Sequence, residues 1–162
     1  LNATANELHR ACLNLGSNIQ PETNIPQAVA LLRRYTQVEA ISRCWETPAV
    51  GSSGPNFINA AVSLRTPLDA PALKKNVIAA IETALGRVRT ADKYAPRPID
   101  LDIILFDDAV LDENLWSRLF VALPVSELFP DLIHPASGQT LRQVAAALRQ
   151  SESAVLRPEI RL

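Results

Sequence analysis

The sequence predicts an α+β domain of the ferredoxin-like βαββαβ type: an antiparallel sheet, helices packed on one face of it, and a helical C-terminal extension. Three observations predict it. Four stretches ("ACLNL", "QVEAISRCWET", "FINAAVSLR" and "IDLDIILF") carry the alternation or apolar density of strands. Two amphipathic stretches with helical spacing separate the first strand from the second and the third from the fourth. Further helical candidates gather only after the fourth strand.

Each element follows from local chemistry. Residues 11–15 form a strand that ends at Gly16, and "GSNIQPETN" is a turn region. Residues 25–35 place Ile25, Ala28, Val29 and Leu32 at helical spacing, with Asn24 as the expected N-cap. "QVEAISRCWET" reads as one half-buried strand, "VGSSGPN" as a mobile loop, and "FINAAVSLR" as the next strand. The second helix is expected to start at the cap Asp69, with Pro71 in its first turn, and to end at Gly86. "IDLDIILF" is the clearest strand, and Asp107 and Asp108 mark the turn after it. Residues 124–129 and 139–149 are shorter helical candidates. The domain is expected to span 11–150. Residues 1–10, which begin without methionine, read as a disordered or added start or as part of a longer polypeptide, and 151–162 as a loosely held C-terminal tail.

Composition narrows the function. With 162 residues, 48% of them hydrophobic, the chain can bury a substantial core. A formal net charge of −1 offers no global attraction to nucleic acid or to a membrane surface, so charged chemistry must be local. The low aromatic content, 5%, and the carboxylates on the best strand argue against a ferredoxin-like RNA-binding module. Cys12 and Cys44 are the only cysteines, expected as reduced, buried thiols of a cytoplasmic protein. With His9 and His134 they form no zinc-type spacing, and no apolar run approaches a transmembrane span.

The local charge lies in residues 86–113. Arg87, Arg89, Lys93 and Arg97 precede a run with Asp100, Asp102, Asp107, Asp108, Asp112 and Glu113 and no base. On a strand Asp100 and Asp102 share a face roughly 7 Å apart, while Leu101 and Ile103 point to the core. Two such carboxylates repel unless a cation compensates. They suit Mg²⁺, which takes oxygen ligands and keeps waters or substrate phosphates in its shell. Arg97, stiffened between Pro96 and Pro98, is placed for bidentate contact with phosphate, and Arg87 and Arg89 can add contacts. The segment therefore reads as a polyphosphate site with cations on one side and metal-bearing carboxylates on the other. Simple surface Arg–Asp pairing is the alternative.

"YAPRPIDLDIILF" closely resembles the signature of the 6-hydroxymethyl-7,8-dihydropterin pyrophosphokinase (HPPK) family of folate biosynthesis. "LNLGSN", "WETPAVGSSGPNFINAAVSL", "IETALGRVR" and "RLFVALPVSELFPDLIHPASGQTL" resemble other family blocks in the same order, so the similarity covers about residues 11–148. The resemblance implies the ferredoxin-like fold and ATP-dependent transfer of pyrophosphate to the hydroxymethyl group of a reduced pterin, with AMP released. It implies that Asp100 and Asp102 hold two Mg²⁺ ions and that Arg97 contacts the phosphates. Arg87 and Arg89 would lie on a closing loop, and Glu82, Arg118 and Lys93 near the ATP. Asn59 would read the polar edge of the pterin, Thr47 and Val50 would lend backbone groups, Phe57 and Phe120 would sandwich the ring, and Asn18 would fall near the reaction centre. Association or fusion with other folate-pathway enzymes is a further expectation.

One segment departs from the family pattern. "DDAVLDENLWSR" is short and lacks the histidine and proline the family places there for ATP. His134 matches a different position, and Pro48 is followed by Ala49 where the family pairs prolines. Trp116 or Lys93 is therefore expected to take over nucleotide contact, or nucleotide binding is weakened. The alternative reading is an HPPK-like homologue that binds pterin or nucleotide with weak or lost kinase activity.

Overall fold

The computed structural model describes residues 7–162, so Leu1 to Asn6 of the expected N-terminal stretch lie outside the described residues. The element order is β1 (His9–Ser17), α1 (Pro21–Tyr35), β2 (Gln37–Ile41), β3 (Trp45–Thr47), β4 (Phe57–Thr66), then a continuous helical rod. That rod comprises α2 (Ala70–Ala72), a π-helical stretch (Leu73–Ile78) and α3 (Ala79–Ala84). β5 (Asp100–Phe106), the short β6 (Ala109–Val110), a 3₁₀ turn (Glu113–Trp116), α4 (Leu119–Leu128), α5 (Leu141–Leu148) and β7 (Val155–Leu156) complete it.

All strand pairs are antiparallel, in the order β6-β5-β1-β4-β3-β7, with β2 also on β4. The long strands thus run β5-β1-β4-β2, the ferredoxin-like arrangement, with β1 central. A central strand must be covered on both faces, and β1 is buried from Ala11 to Ser17. One face carries Leu13, Leu15, Ala60, Val62 and Leu101 against α1 and the helical rod. The other carries Cys12, Ala61 and Ile104 beneath α4 and α5. The C-terminal helices are therefore a second layer on the opposite face, whereas the sequence suggested helices on one face only. Their apolar residues cover the half of that face near Cys12 and leave the half near Gly16 open as a cleft.

Several local expectations change. β1 starts at His9, where His9 and Arg10 pair with Thr66 and Arg65, so two residues assigned to a disordered start belong to the sheet. α1 starts at Pro21 rather than after Asn24, because Gln20 takes a left-handed conformation (φ 44°) that turns the chain and Pro21 is already set for a first helical position. Asn24 is instead buried in the first turn and donates from Nδ2 to the Ile19 carbonyl at 2.6 Å. The expected single second strand is split into β2 and β3, which pair with opposite ends of β4. Asp69 caps the helical rod as expected, its Oδ1 accepting from the Ala72 N–H at 2.9 Å. Thr140 and Gln143 form a reciprocal capping box on α5.

The tail is tied down. β7 adds to the edge of β3, and the Arg157 N–H donates to the Cys44 carbonyl at 3.0 Å. The Arg157 guanidinium reaches Glu46 (2.7 Å), Glu22 (3.2 Å) and Glu159, while Ile160 and Leu162 pack against the larger core. These contacts are nonlocal, so the polar local sequence of 151–162 gave no sign of them. Among the described residues no helix is long and apolar enough to cross a membrane.

Both cysteines are free and buried, and burial pushes each thiol up to about 12. Neither forms thiolate near neutrality, and a thiol-exchange reagent needs thiolate. At pH 8 Ellman's reagent should label fewer than one thiol per native chain over minutes, and two at once in 6 M guanidinium; rapid labelling of the native protein would contradict this packing.

Candidate active site

The open half of the sheet face is the floor of a cleft of about 320 Å³. Its floor follows from strand register. Gly16 on β1 lies opposite Asn59 of β4 on one side and Asp100 of β5 on the other. One step along, Asn14 lies between Ala61 and Asp102. Period-two alternation then puts Asn59, Asp100, Asp102 and Asn14 on one face, with Phe57 at the β4 end. Gly16 keeps the middle of that floor low, since a Cβ there would stand 3.3 Å from Asn59 Oδ1 and 3.6 Å from the Phe57 ring.

The two carboxylates have different surroundings. Asp100 accepts from Arg87 Nη1 on one oxygen and from Arg97 Nη1 on the other at 2.8 Å. Asp102 makes no ion pair among the described residues and faces the cleft. Its carboxylate reaches water, yet the concave walls around it strip much of its hydration. Desolvation first, then Asp100, Asp112 and Glu82, push its pKa up to about 6 against the pull of Arg87. It is a carboxylate short of a cation.

Behind the floor, Arg87 is nearly buried and donates from Nη1 to Glu82 Oε1 at 2.9 Å as well as to Asp100. Glu82 is itself buried at the end of α3, and its Oε1 also accepts from the Leu101 N–H at 3.1 Å. Arg89 is largely exposed, with one contact of 3.3 Å to Glu82. Arg87, Arg89, Lys93 and Arg97 together surround a second hollow of about 220 Å³ next to the cleft.

Asn18 holds the arginine-bearing segment in place. Its Oδ1 accepts from the Arg97 N–H at 2.8 Å, and its own N–H donates to the Arg97 carbonyl at 3.2 Å. Its Nδ2 donates to the Pro55 carbonyl at 3.3 Å, tying in the loop between β3 and β4. That loop meets the arginine loop a second time at Gly51 (φ 76°), where a Cβ would fall 2.5 Å from the Tyr94 ring. Glycine is required there by backbone and by contact. Across the cleft, Asn59 donates from Nδ2 to Thr47 Oγ1 at 2.8 Å and to the Trp45 carbonyl at 3.4 Å.

Of the residues singled out from sequence, Thr47, Val50, Phe57, Asn59, Arg97, Asp100, Asp102, Arg118 and Phe120 line the cleft together. Glu82, Arg87, Arg89 and Lys93 do not. Arg87 differs from the loop arginine expected: two carboxylates and the Ile99 carbonyl at 3.4 Å fix it. Sequence reading missed Asn14, Gly16, Tyr94, Asp112 and Asn114. Asn14 and Gly16 were legible as the cleft-side members of the "ACLNLG" alternation. Asp112 and Asn114 arrive through the short connection after β5, and nothing local announces that. Trp116, one of the two residues offered for nucleotide contact, packs on the α4–α5 core with its ring tilted against that of His134 (centroids 4.6 Å).

An aspartate pair on an open sheet face, flanked by an arginine-rich loop and an amide beside aromatic rings, is chemically suited to phosphoryl transfer and to a flat polar ring. The chain belongs to the 7,8-dihydro-6-hydroxymethylpterin-pyrophosphokinase (HPPK) family, whose pattern matches residues 12–130. It is 36% identical over 154 residues to the 2-amino-4-hydroxy-6-hydroxymethyldihydropteridine pyrophosphokinase of Methylorubrum extorquens, covering 88% of this chain and 95% of that one. It is 35% identical over 150 residues to the enzyme of the same name from Synechocystis, covering 85% and 75%. Among solved structures it resembles the HPPK-DHPS of Plasmodium falciparum with pterin and p-hydroxybenzoate (TM-score 0.72, 14% identity). There the match covers 92% of this chain and 44% of the other, and it shows the fold.

The two neighbouring arginines should separate cleanly by stability. Arg87→Ala strands two carboxylates and should cost about 3 kcal/mol in a urea melt, whereas the exposed Arg89→Ala should stay within about 0.5 kcal/mol. Equal losses would refute the buried role given to Arg87.

Proposed function

We propose that the cleft is where pyrophosphate passes from ATP to 6-hydroxymethyl-7,8-dihydropterin, giving the pterin pyrophosphate and AMP, and that its walls divide the work between the two substrates. The activity is that of the HPPK family in folate biosynthesis, with ATP as co-substrate. The observation that carries the site assignment is the row Asn59–Gly16–Asp100, with Asp102 one step on: a pterin-sized recess and a carboxylate pair on one rigid floor.

On the pterin side, Phe57 and Phe120 supply apolar faces for a flat heteroaromatic ring. The Asn59 amide is oriented by Thr47, so its other end is free to read the polar edge of the ring. Thr47 and Val50 offer backbone groups at the rim. Gly16 leaves the ring room to lie on the sheet.

On the phosphate side, Asp100 and Asp102 fit Mg²⁺. Among the described residues no three His, Cys, Asp or Glu side chains converge as a closed metal cage, so any ion here must keep waters or phosphate oxygens. That is the open coordination Mg²⁺ prefers, and two ions between the carboxylates and the phosphates would neutralise charge and align the displaced group. Arg97 and the hollow it shares with Arg87, Arg89 and Lys93 lie beside this pair, which suits the triphosphate. Lys93, not Trp116, is the residue of the two that borders this hollow. Arg118, which the family resemblance assigns to the ATP, lines the cleft wall beside Asn114. Little covalent chemistry is asked of the protein, so the reaction rests on positioning and charge compensation. The exposed loops before Phe57 and after Gly86, joined through Asn18 and Tyr94, are placed to close over both substrates. Fusion or association with a second folate enzyme accords with the HPPK-DHPS relative.

Release of AMP from Mg-ATP and hydroxymethyl-dihydropterin tests the reading directly. The wild-type chain should turn over, Asp102→Ala should lose at least about 10²-fold in kcat while keeping its melting curve, and Arg97→Ala should lower kcat more than it raises pterin KM. Turnover absent from the wild type would favour a homologue that binds without reacting, and full activity in Asp102→Ala would remove the metal assignment.

A further inference from the structure

Asn14 belongs to none of the roles above. It sits on the central strand, two residues from Gly16 and on the same face, and it is 5% exposed where it lines the cleft. Its Oδ1 is fully buried and has no hydrogen-bond partner. A carboxamide shut away with an unmet acceptor is destabilising, and an aliphatic residue would cost less at this point of the strand. Thr or Ser could have bonded locally, and Leu would have packed. The position therefore carries a polar group against its local stability.

Its neighbour indicates the use. Asn14 lies directly opposite Asp102 in the β1–β5 ladder, and side chains so paired have Cβ atoms about 5 Å apart. Asp102 is the cleft carboxylate that no guanidinium neutralises, and it makes no hydrogen bond to Asn14. Two polar side chains thus stand side by side on a rigid ladder: the Asp102 carboxylate is open to the cleft, and Asn14 lines the cleft with its Oδ1 shut away and unpartnered. The oxygen and nitrogen ends of a carboxamide exchange by a half-turn of its last torsion, so either can face that space. An amide carbonyl is a hard, neutral oxygen ligand of the kind Mg²⁺ and Mn²⁺ accept beside carboxylates, directly or through a coordinated water.

We infer that Asn14 is a further member of the divalent-cation site, its side-chain carbonyl completing the shell of the ion at Asp102. This rests on the metal assignment proposed above. A neutral oxygen adds a ligand without adding a third negative charge to the Asp100–Asp102 pair, which keeps the site able to accept phosphate oxygens.

The test reads metal occupancy and stability rather than turnover. Mn²⁺ binding, followed by the loss of the free-ion electron paramagnetic resonance signal in the presence of a non-hydrolysable ATP analogue, is compared for the wild type, Asn14→Leu, Asn14→Asp and Asp102→Ala. Asn14→Leu should weaken Mn²⁺ about tenfold, the scale expected when a partner of a metal shell is removed. Asn14→Asp should bind it at least as tightly as the wild type. Without metal, Asn14→Leu should melt at the same temperature or higher, because a stranded acceptor has been replaced by an apolar group of similar size. Unchanged Mn²⁺ affinity in Asn14→Leu, with Asp102→Ala still impaired, would overturn the role of Asn14 alone. Unchanged affinity in Asp102→Ala would overturn the metal assignment beneath it. A lowered melting temperature of metal-free Asn14→Leu would mark Asn14 as a packing residue and also overturn the proposal.

Discussion

The rest of the structure depends on how one buried guanidinium is balanced. Arg87 sits between Glu82 and Asp100, joining the end of the helical rod to the start of β5. Buried charges are tolerated only when paired and hydrogen-bonded, and here the pairing also uses the Leu101 N–H, which Glu82 receives. The helix end, the arginine loop and the first residue of β5 are therefore one electrostatic unit. Asp100 leaves that unit with both oxygens engaged, and the unbalanced negative charge of the cleft falls on Asp102. The asymmetry leaves one carboxylate fixed in place and the other open to the cleft.

The sheet supplies the second constraint. Because β1 is central and antiparallel to both β4 and β5, a single alternation decides what every side chain near the cleft can do. Odd positions of β1, Leu13 and Leu15, anchor the layer of α1 and the helical rod, and even positions Asn14 and Gly16 make the cleft floor. A slip of one residue would exchange them and turn the whole polar set into the core. The buried apolar mass beneath the cleft thus fixes the register, and the register fixes the distances among Asn59, Asp100 and Asp102. The C-terminal helices complete this by covering only half of the second face.

Most of this was legible where chemistry is local. Asp100 and Asp102 announce themselves by period, Arg97 by its flanking prolines, Asp69 by its cap, and the βαββ order by alternation and helical spacing. Family resemblance added Thr47, Phe57, Asn59 and Phe120, which residue types alone would have left as ordinary packing. What escaped was set by contacts between distant segments. The second helical layer depends on which face α4 finds, the ordered tail on Arg157 meeting Glu22 and Glu46, and the burial of Arg87 on Glu82 lying behind β5. Asn14 escaped for another reason: an asparagine in a strand looks like noise until its missing partner and its place opposite Asp102 are seen together.

The short connection after β5 takes on a definite meaning against this background. It carries no histidine toward the nucleotide, but it is not simply a gap in the cleft wall. The 3₁₀ turn begins at Glu113, and its cap Asp112 accepts from the Asn114 N–H at 2.9 Å, so both Asp112 and Asn114 are set into the cleft by a hydrogen-bonded turn rather than by a long loop. Leu115 and Trp116 bury the other side of that turn against α4 and α5. The result is a stiff wall with an acid and an amide where the family pattern has a longer segment. An added acid near Asp102 raises the negative potential of the cleft, which favours divalent cations and opposes bare phosphate. That potential works together with the basic hollow of Arg87, Arg89, Lys93 and Arg97 on the other side of Asp100, so the two charge signs stay on separate walls.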